Sequence, residues 1–273
     1  MSAFVLLHGF TGSAESWDDV VLQLPAGARV MRPAIYGHRG LAEGPSSFVA
    51  EVDRLAGSVA GAGLGAAHLV GYSLGARLGL WLALRHNALF SRVTLIGCHP
   101  GLSDERAREQ RVAADAGWIE MLEQGGLGAF VSAWQAQPLF ASQALLDPIR
   151  LERQRQIREG HSARGLAAAL QVLGLGVMPC AVPELERLAV PVTLVNGDSD
   201  SKFDTLARAM CERLPSAEQR LVPRSGHNLP LEQPAALAAL LQAEGEAATG
   251  WAQPTRSGQE PALAAKRRGG FDA

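Results

Sequence analysis

The chain alternates short apolar runs with longer stretches of helical spacing. The apolar runs lie at residues 4–7, 29–32, 68–71, 93–97, 192–196 and 219–222, and the clearest helical stretches lie at 47–60 and 74–85. Strands that alternate with helices are typical of a mostly parallel sheet flanked by helices on both faces. The pattern therefore predicts an α/β fold built on one such sheet.

The pattern changes in the middle of the chain and again near its end. Between residues 102 and 183 the sequence is charged and helix-forming, as at 106–123, 126–135 and 164–173, and beyond residue 244 it has no periodic face. We expect a helical cap inserted over one edge of the sheet, and a disordered tail. The predicted division is a core of residues 1–101 and 184–244, a cap of 102–183 and a tail of 245–273.

A serine between two glycines follows the third apolar run. Gly71-Tyr72-Ser73-Leu74-Gly75 stands directly before a helical stretch, so Ser73 is expected on a tight strand-to-helix turn. The flanking glycines remove Cβ atoms that would clash in such a turn, and the helix N-terminus lies beneath the serine. This position suits a nucleophile or a base. The same pattern also occurs in ordinary turns, so the assignment depends on partner residues.

Candidate partners follow in the order that this turn requires. Asp198 and Asp200 come after the apolar run at 192–196, and His227 comes after the run at 219–222. Asp200 is the preferred acid and His227 the base, although turn hydrogen bonds or helix capping would explain each residue taken singly. The three together, in this order and each after a strand, favour a catalytic triad of Ser73, Asp200 and His227.

The loop after the first apolar run supports the same site. His8-Gly9-Phe10-Thr11-Gly12 is a glycine-containing turn, and its Phe10 N–H together with the N–H of Leu74 is expected to form an oxyanion hole. We expect His8 to brace this loop, because the histidine of the triad belongs near the C-terminal end of the chain.

Composition limits the class of protein. The chain has 273 residues and a formal net charge of −2, which fit one enzyme domain and argue against nucleic acid as its partner. No apolar run reaches about 18 residues and no basic segment precedes the first run, so we expect a cytoplasmic protein without a membrane partner. The spacing of the three cysteines indicates neither a disulfide framework nor a metal site. No cofactor motif is present, and a monomer or weak homo-oligomer is expected.

Arginines indicate the kind of substrate. Arg77 lies one helical turn after Ser73, and Arg111 and Arg158 lie in the predicted cap. Arginines that face one cavity favour a small-molecule polycarboxylate, because a guanidinium binds carboxylates in a bidentate manner. Residue patterns alone do not select these among the other cap arginines. Trp134 is either a packing anchor of the cap or a wall of the pocket, with packing favoured.

Several segments together resemble a known family. They are LLHGFTGS from Leu6, GYSLGARL from Gly71, HPGL from His99, WQAQPLFAS from Trp134, RGLAAALQVLGLGVMP from Arg164, GDSDSKF from Gly197 and SGHN from Ser225. From Val5 to about Leu241 the chain resembles the 2-succinyl-6-hydroxy-2,4-cyclohexadiene-1-carboxylate synthases of menaquinone biosynthesis. The resemblance implies an α/β-hydrolase fold with a helical cap.

The same resemblance implies a carbon–oxygen lyase that eliminates pyruvate, with the triad acting as a base. It assigns substrate binding to Tyr72, Arg77, Arg111, Trp134 and Arg158, with Arg155 as a near alternative to Arg158. The alternative activity is a serine hydrolase, either a carboxylesterase or a carbon–carbon bond hydrolase, acting on a small acidic substrate. Arginines lining the pocket favour the lyase, whereas an apolar lining favours the ester.

Overall fold

The six strands form a single parallel sheet. The structure, a computed structural model, describes residues 2–39 and 44–248. The strands are β1 (Ala3–Leu7), β2 (Arg29–Met31), β3 (Ala67–Tyr72), β4 (Phe90–Ile96), β5 (Val192–Gly197) and β6 (Ala217–Val222). Their order is β2-β1-β3-β4-β5-β6, and all five pairings are parallel. The predicted α/β fold with a mostly parallel sheet is confirmed.

Ten helices accompany the sheet. They are α1 (Asp18–Val21), α2 (Phe48–Gly61), α3 (Leu74–Arg85), α4 (Glu105–Glu120), α5 (Gly126–Gln135), α6 (Pro148–Glu159), α7 (Ala163–Leu173), α8 (Ser201–Cys211), α9 (Leu229–Glu232) and α10 (Pro234–Ala248), counted over the described ranges. Alternate residues of β1 pack on opposite faces of the sheet. Val5 and Leu7 belong to the cluster shared with α2, α3 and α8, whereas Phe4 and Leu6 pack with α10. Both faces of the sheet are therefore covered.

The bounds of β4 and α10 differ from the sequence pattern. β4 begins at Phe90, three residues before the apolar run. The pattern misses these residues because Ser91 is exposed and Arg92 is half-buried, which interrupts the run of apolar side chains. α10 continues to Ala248, which is four residues into the predicted tail. Residues 249–273 lie outside the described residues, so the disordered tail expected there stays a prediction.

The segment between β4 and β5 contains α4 to α7. Its apolar side chains form a cluster of their own, composed of Leu122, Phe130, Val131, Leu166, Ala167 and Leu170. Phe10 packs against this cluster from the loop after β1. The sequence pattern does not predict α6, because Arg158 is its one buried residue and an apolar stripe is missing. The division into core and cap at residues 102 and 183 stays a prediction.

None of the helices in the described ranges is both long and apolar enough to cross a membrane. The cytoplasmic location and the monomeric or weakly associated state stay predictions.

Candidate active site

Ser73 occupies a strained turn between β3 and α3. Its backbone has φ 52° and ψ −108°, a conformation that costs free energy in a residue with a side chain. The Ser73 N–H donates to the Ile96 carbonyl at 2.8 Å, and α3 begins at the next residue. A Cβ atom at Gly75 would collide with the Leu7 carbonyl, so glycine is required there. The Ser73 hydroxyl does not cap α3, which leaves it available to a partner.

His227 joins Ser73 to Asp200. The His227 Nε2 atom lies 3.1 Å from Ser73 Oγ, and its Nδ1 atom lies 2.8 Å from Asp200 Oδ2. Both His227 and Asp200 are buried. Because a carboxylate only accepts hydrogen bonds, Nδ1 carries the hydrogen, and Nε2 of the neutral ring accepts the proton of the serine hydroxyl. The tertiary structure thus brings together three residues from the ends of β3, β5 and β6.

Asp198, the alternative acid, is engaged elsewhere. Its carboxylate accepts hydrogen bonds from the backbone N–H of Arg224 at 2.9 Å and of Ser225 at 3.2 Å. These bonds lower the pKa of Asp198. The residue therefore holds the start of the loop that carries His227, while Asp200 is the carboxylate in contact with the imidazole.

Two further side chains position His227, and the sequence reasoning missed both. The buried Glu232 carboxylate accepts from the N–H groups of Gly226 at 2.6 Å and Asn228 at 2.9 Å, on either side of the histidine. The Phe203 ring packs on the imidazole with 4.4 Å between centroids. The available signal for Glu232 was a carboxylate that directly follows the apolar residues Leu229 to Leu231.

A cavity of about 200 Å³ opens at Ser73. It brings together most of the residues that the sequence singled out, namely Phe10, Ser73, Leu74, Arg77, Arg111, Trp134 and His227. Tyr72 and Arg158 line a second, smaller pocket of about 60 Å³ instead. Phe10 lines both spaces, so the two pockets adjoin at this residue.

The Ser73 cavity is electrically positive on its arginine side. The Arg77 Nη1 atom donates to the Leu173 carbonyl at 2.9 Å, and the Arg111 Nε atom donates to the buried carboxylate of Asp115 at 2.9 Å. Burial, followed by the charge of Arg111, lowers the pKa of Arg77 to about 10, so Arg77 is still a cation at neutral pH. Two cations thus share one nearby carboxylate, and a bound anion would balance the second charge.

Arg158 is buried with an incomplete set of partners. Only 3% of its surface is exposed, its guanidinium carbon lies 5.2 Å from the centre of the Phe140 ring, and its Nη1 atom has no hydrogen-bond partner within residues 2–39 and 44–248. Burial lowers the pKa of Arg158 to about 10 and raises that of the neighbouring Tyr72 hydroxyl. Arg155 is partly exposed and pairs with Glu152 and Glu159. Of the two alternatives, Arg158 is the arginine beside Tyr72.

Trp134 both packs and lines the cavity. Its ring lies 5.0 Å from that of Phe10 and stacks on that of Phe130 at 5.5 Å. Its indole Nε1 is buried and has no acceptor in the described part of the chain. An unpaired buried donor costs free energy, which a ligand oxygen at this wall would recover.

Comparison with known proteins places this geometry in a family. Residues 4–240 match the model described as the alpha/beta hydrolase family. The 2-succinyl-6-hydroxy-2,4-cyclohexadiene-1-carboxylate synthase of Enterobacter sp. (strain 638) is 33% identical over 238 residues, which are 87% of this chain and 89% of that protein. The protein of the same name from Serratia proteamaculans (strain 568) is 31% identical over 240 residues, 87% of this chain and 91% of that protein. The chain belongs to this synthase family of α/β hydrolases.

Solved structures agree with that placement. MenH from S. aureus superposes with a TM-score of 0.86 at 25% identity and covers 91% of this chain and 94% of its own. A malate-bound thermophilic esterase from Thermogutta terrifontis superposes with a TM-score of 0.78 at 23% identity, over 91% of this chain and 90% of its own, and shares the fold.

In this member of the synthase family, three histidines support the loop that carries Phe10. His8 Nδ1 donates to the Gly9 carbonyl at 2.9 Å, as expected for a bracing residue. The Thr11 N–H donates to His38 Nε2 at 3.2 Å, and His161 Nε2 donates to the Thr11 carbonyl at 3.1 Å. Burial lowers the pKa of His8 and His161 to about 4, so these rings are neutral at pH 7. His161 follows α6, and it therefore ties the segment between β4 and β5 to the Phe10 loop.

Proposed function

We propose that this chain is a carbon–oxygen lyase of menaquinone biosynthesis. It eliminates pyruvate from 2-succinyl-5-enolpyruvyl-6-hydroxy-3-cyclohexene-1-carboxylate and yields 2-succinyl-6-hydroxy-2,4-cyclohexadiene-1-carboxylate. The family membership supports this reaction, since the relatives at 31–33% identity are named for its product. The observation that carries it to the site is a hydrogen-bonded Ser73 that opens into a cavity lined by Arg77 and Arg111.

In the proposed mechanism Ser73 acts as a base and no acyl-enzyme forms. His227 takes the hydroxyl proton at Nε2, while Asp200 stabilises the resulting imidazolium through Nδ1. The Ser73 alkoxide removes the acidic ring proton next to the succinyl ketone. The electron pair is delocalised toward that ketone and then expels enolpyruvate by breaking the ring carbon–oxygen bond. The departing enolate of pyruvate takes up a proton at carbon from the His227 imidazolium, while Ser73 keeps the proton that it removed from the ring, so both residues return to their starting states.

In the proposed mechanism, the negative charge that develops on the substrate is stabilised beside the strand-to-helix turn that carries Ser73. As the ketone becomes an enolate, its oxygen gains charge, and the N–H groups of Phe10 and Leu74 are the proposed donors to it. Both residues line the Ser73 cavity, and Leu74 is the first residue of α3, where the helix dipole favours an anion. The reaction is an elimination without net electron transfer, so it calls for no cofactor.

The cations and the aromatic wall match a substrate with three carboxylates. Arg77 and Arg111 are proposed to bind carboxylate in the Ser73 cavity, and Arg158 with Tyr72 in the adjoining pocket. The unpaired Nη1 of Arg158 and the unpaired Nε1 of Trp134, both within the described residues, are donors that such a ligand would satisfy. An ester substrate without carboxylates would leave these buried donors without partners.

The test is pyruvate release from the enzymatically prepared substrate, measured for the wild type and for Ser73→Ala, with p-nitrophenyl ester hydrolysis followed in parallel. We expect pyruvate release that Ser73→Ala lowers by about a thousandfold or more, together with weak ester cleavage. Efficient ester cleavage without pyruvate release would instead identify a serine hydrolase, in which Ser73 attacks a carbonyl. The fold shared with the Thermogutta terrifontis esterase makes that outcome a real alternative.

A further inference from the structure

Lys202 stands between the Ser73 cavity and the outside of the molecule. It lies in the first turn of α8, two residues after Asp200, and its side chain is exposed. It lines the Ser73 cavity, and it also lines a larger surface groove of about 960 Å³. Leu139 and His227 are the other residues that line both spaces. These three side chains therefore surround the mouth through which the cavity meets the groove.

The ammonium of Lys202 is uncommitted. Over the described ranges 2–39 and 44–248 it has neither a hydrogen bond nor an ion pair, whereas the acidic residues near it in sequence have other partners. Asp200 accepts from His227, Asp198 accepts from two backbone N–H groups, and Asp204 pairs with Arg208. The ammonium at the mouth therefore forms no ion pair with these carboxylates in the described part of the chain.

The position of this charge differs from that of the arginines. Arg158 is itself buried and lines the smaller pocket, and Arg77 is held against the Leu173 carbonyl inside the Ser73 cavity. A substrate fragment bound by either arginine lies away from the outer groove, which neither arginine lines. A fragment bound at the mouth reaches the groove directly after the carbon–oxygen bond breaks, without passing the ring product.

We propose that Lys202 is a further substrate-binding residue, which pairs with the carboxylate of the enolpyruvyl group at the mouth of the cavity. The inference rests on the proposed lyase function and assigns one of the three substrate carboxylates to a residue. Lys202 holds the leaving fragment during the elimination and then releases it as pyruvate into the groove. Pyruvate is accordingly a product inhibitor that binds through Lys202.

The experiment compares Lys202→Met with Lys202→Arg in the full chain. We expect Lys202→Met to raise KM and to lower kcat/KM by roughly tenfold, as the loss of one charge-assisted hydrogen bond predicts, and Lys202→Arg to restore most of it. Inhibition by added pyruvate weakens at least fivefold in Lys202→Met. Because Lys202 is exposed, thermal unfolding of the variants matches that of the wild type.

Arg224→Met is the matched control. Arg224 lines the outer groove but not the Ser73 cavity. Direct pairing at the mouth predicts that Arg224→Met keeps kcat/KM within about twofold of the wild type. Equal losses in both variants, abolished by salt, would mean general electrostatic steering and would overturn the proposal. Unchanged pyruvate inhibition in Lys202→Met would overturn it as well.

The two levels of the proposal fail separately. A wild-type enzyme that releases no pyruvate contradicts the lyase function itself. A wild type that does release pyruvate, with Lys202→Met equal to it, contradicts only the assignment of Lys202.

Discussion

His161 donates a hydrogen bond from Nε2 to the backbone carbonyl of Thr11 at 3.1 Å, across 150 positions of the chain. Its other ring nitrogen, Nδ1, accepts from the Arg39 N–H at 3.2 Å. The ring is therefore a neutral tautomer with one donor and one acceptor. His8 and His38 likewise each accept a backbone N–H at one nitrogen and lie against a carbonyl at the other. Protonation of any of these rings would turn an acceptor into a donor facing another donor.

This cluster predicts that the protein loses stability in mild acid. Burial lowers the pKa of His8 and His161 from 6.5 to about 4 and lowers that of His38 as well. Below pH 6.5 the unfolded chain therefore binds protons at these histidines that the folded chain does not bind. The contribution of these histidines to the free energy of unfolding is fully present above pH 6.5. It falls as the pH drops toward 4, by about 1.4 kcal/mol per pH unit for each proton.

Urea unfolding at a series of pH values measures this slope. His161→Gln removes one of the three groups, so the slope over this range should decrease by about one proton. His86→Gln is the control, because His86 is partly exposed and pairs with Asp53 at the surface. An identical slope in the wild type and in His161→Gln would contradict the assignment.

Asp200 and Asp198 should separate by activity. Asp200→Asn leaves the size of the side chain unchanged but removes the charge that orients His227, so we expect kcat to fall by about a thousandfold or more. Asp198→Asn weakens only the support of the loop at Arg224 and Ser225, and a loss of about tenfold or less is expected. The kcat of both variants, measured by pyruvate release, decides the matter. Comparable losses would mean that Asp200 is not the acid of the triad.

A variant of Arg77 tests whether the Ser73 cavity binds a substrate with several carboxylates. Arg77→Ala should lower kcat/KM by more than tenfold while the fold is kept, because its guanidinium faces the cavity. Arg85→Ala on the same helix removes only a surface ion pair with Asp53 and should change kcat/KM by less than about twofold. An unchanged kcat/KM in Arg77→Ala would remove this residue from the site.

Replacement of Arg158 is expected to lower activity without lowering stability. Arg158→Met replaces a buried cation that lacks a full set of partners among the described residues, so we expect an equal or higher Tm. The same change should lower kcat/KM by more than about tenfold. Arg155→Met alters a partly exposed arginine with acidic partners and should leave turnover nearly unchanged. If Arg155→Met instead causes the larger loss of turnover, the choice between the two arginines was wrong.

Gly97 tests how tightly His227 is held. Its φ is 57°, and a Cβ atom there would lie 2.5 Å from Cε1 and 2.8 Å from Nδ1 of His227. Gly63 has φ 59° and nothing within 4 Å of such a Cβ atom, so Gly63→Ala has the same conformational cost, about 1 kcal/mol, without the contact. Both variants should unfold at lower temperature, but only Gly97→Ala should lower kcat, by about tenfold or more. Equal kcat values in the two variants would show that the imidazole moves aside without consequence.

Much of the fold is readable from local pattern. The buried strands β3 and β5 follow from runs of apolar residues, and α3 and α5 from helical spacing, because both signals depend on neighbours a few positions away. β4 and α6 are less readable, since the exposed Ser91 interrupts one and the other buries Arg158 in place of an apolar stripe. The roles of Ser73, Asp200 and His227 stay predictions, although the structure brings their side chains into contact.

The sequence by itself determined the α/β class, the tight strand-to-helix turn at Ser73 and the order in which the acid and the histidine follow it. These features depend on periodicity and turn chemistry along the chain. Only the tertiary structure decided that Asp200 rather than Asp198 contacts His227, that Arg158 rather than Arg155 is buried beside Tyr72, and that Lys202 stands at the mouth. The first two of these choices are between residues with the same chemistry a few positions apart. Burial and directional hydrogen bonds separate them, and both arise from chain segments that are distant in sequence.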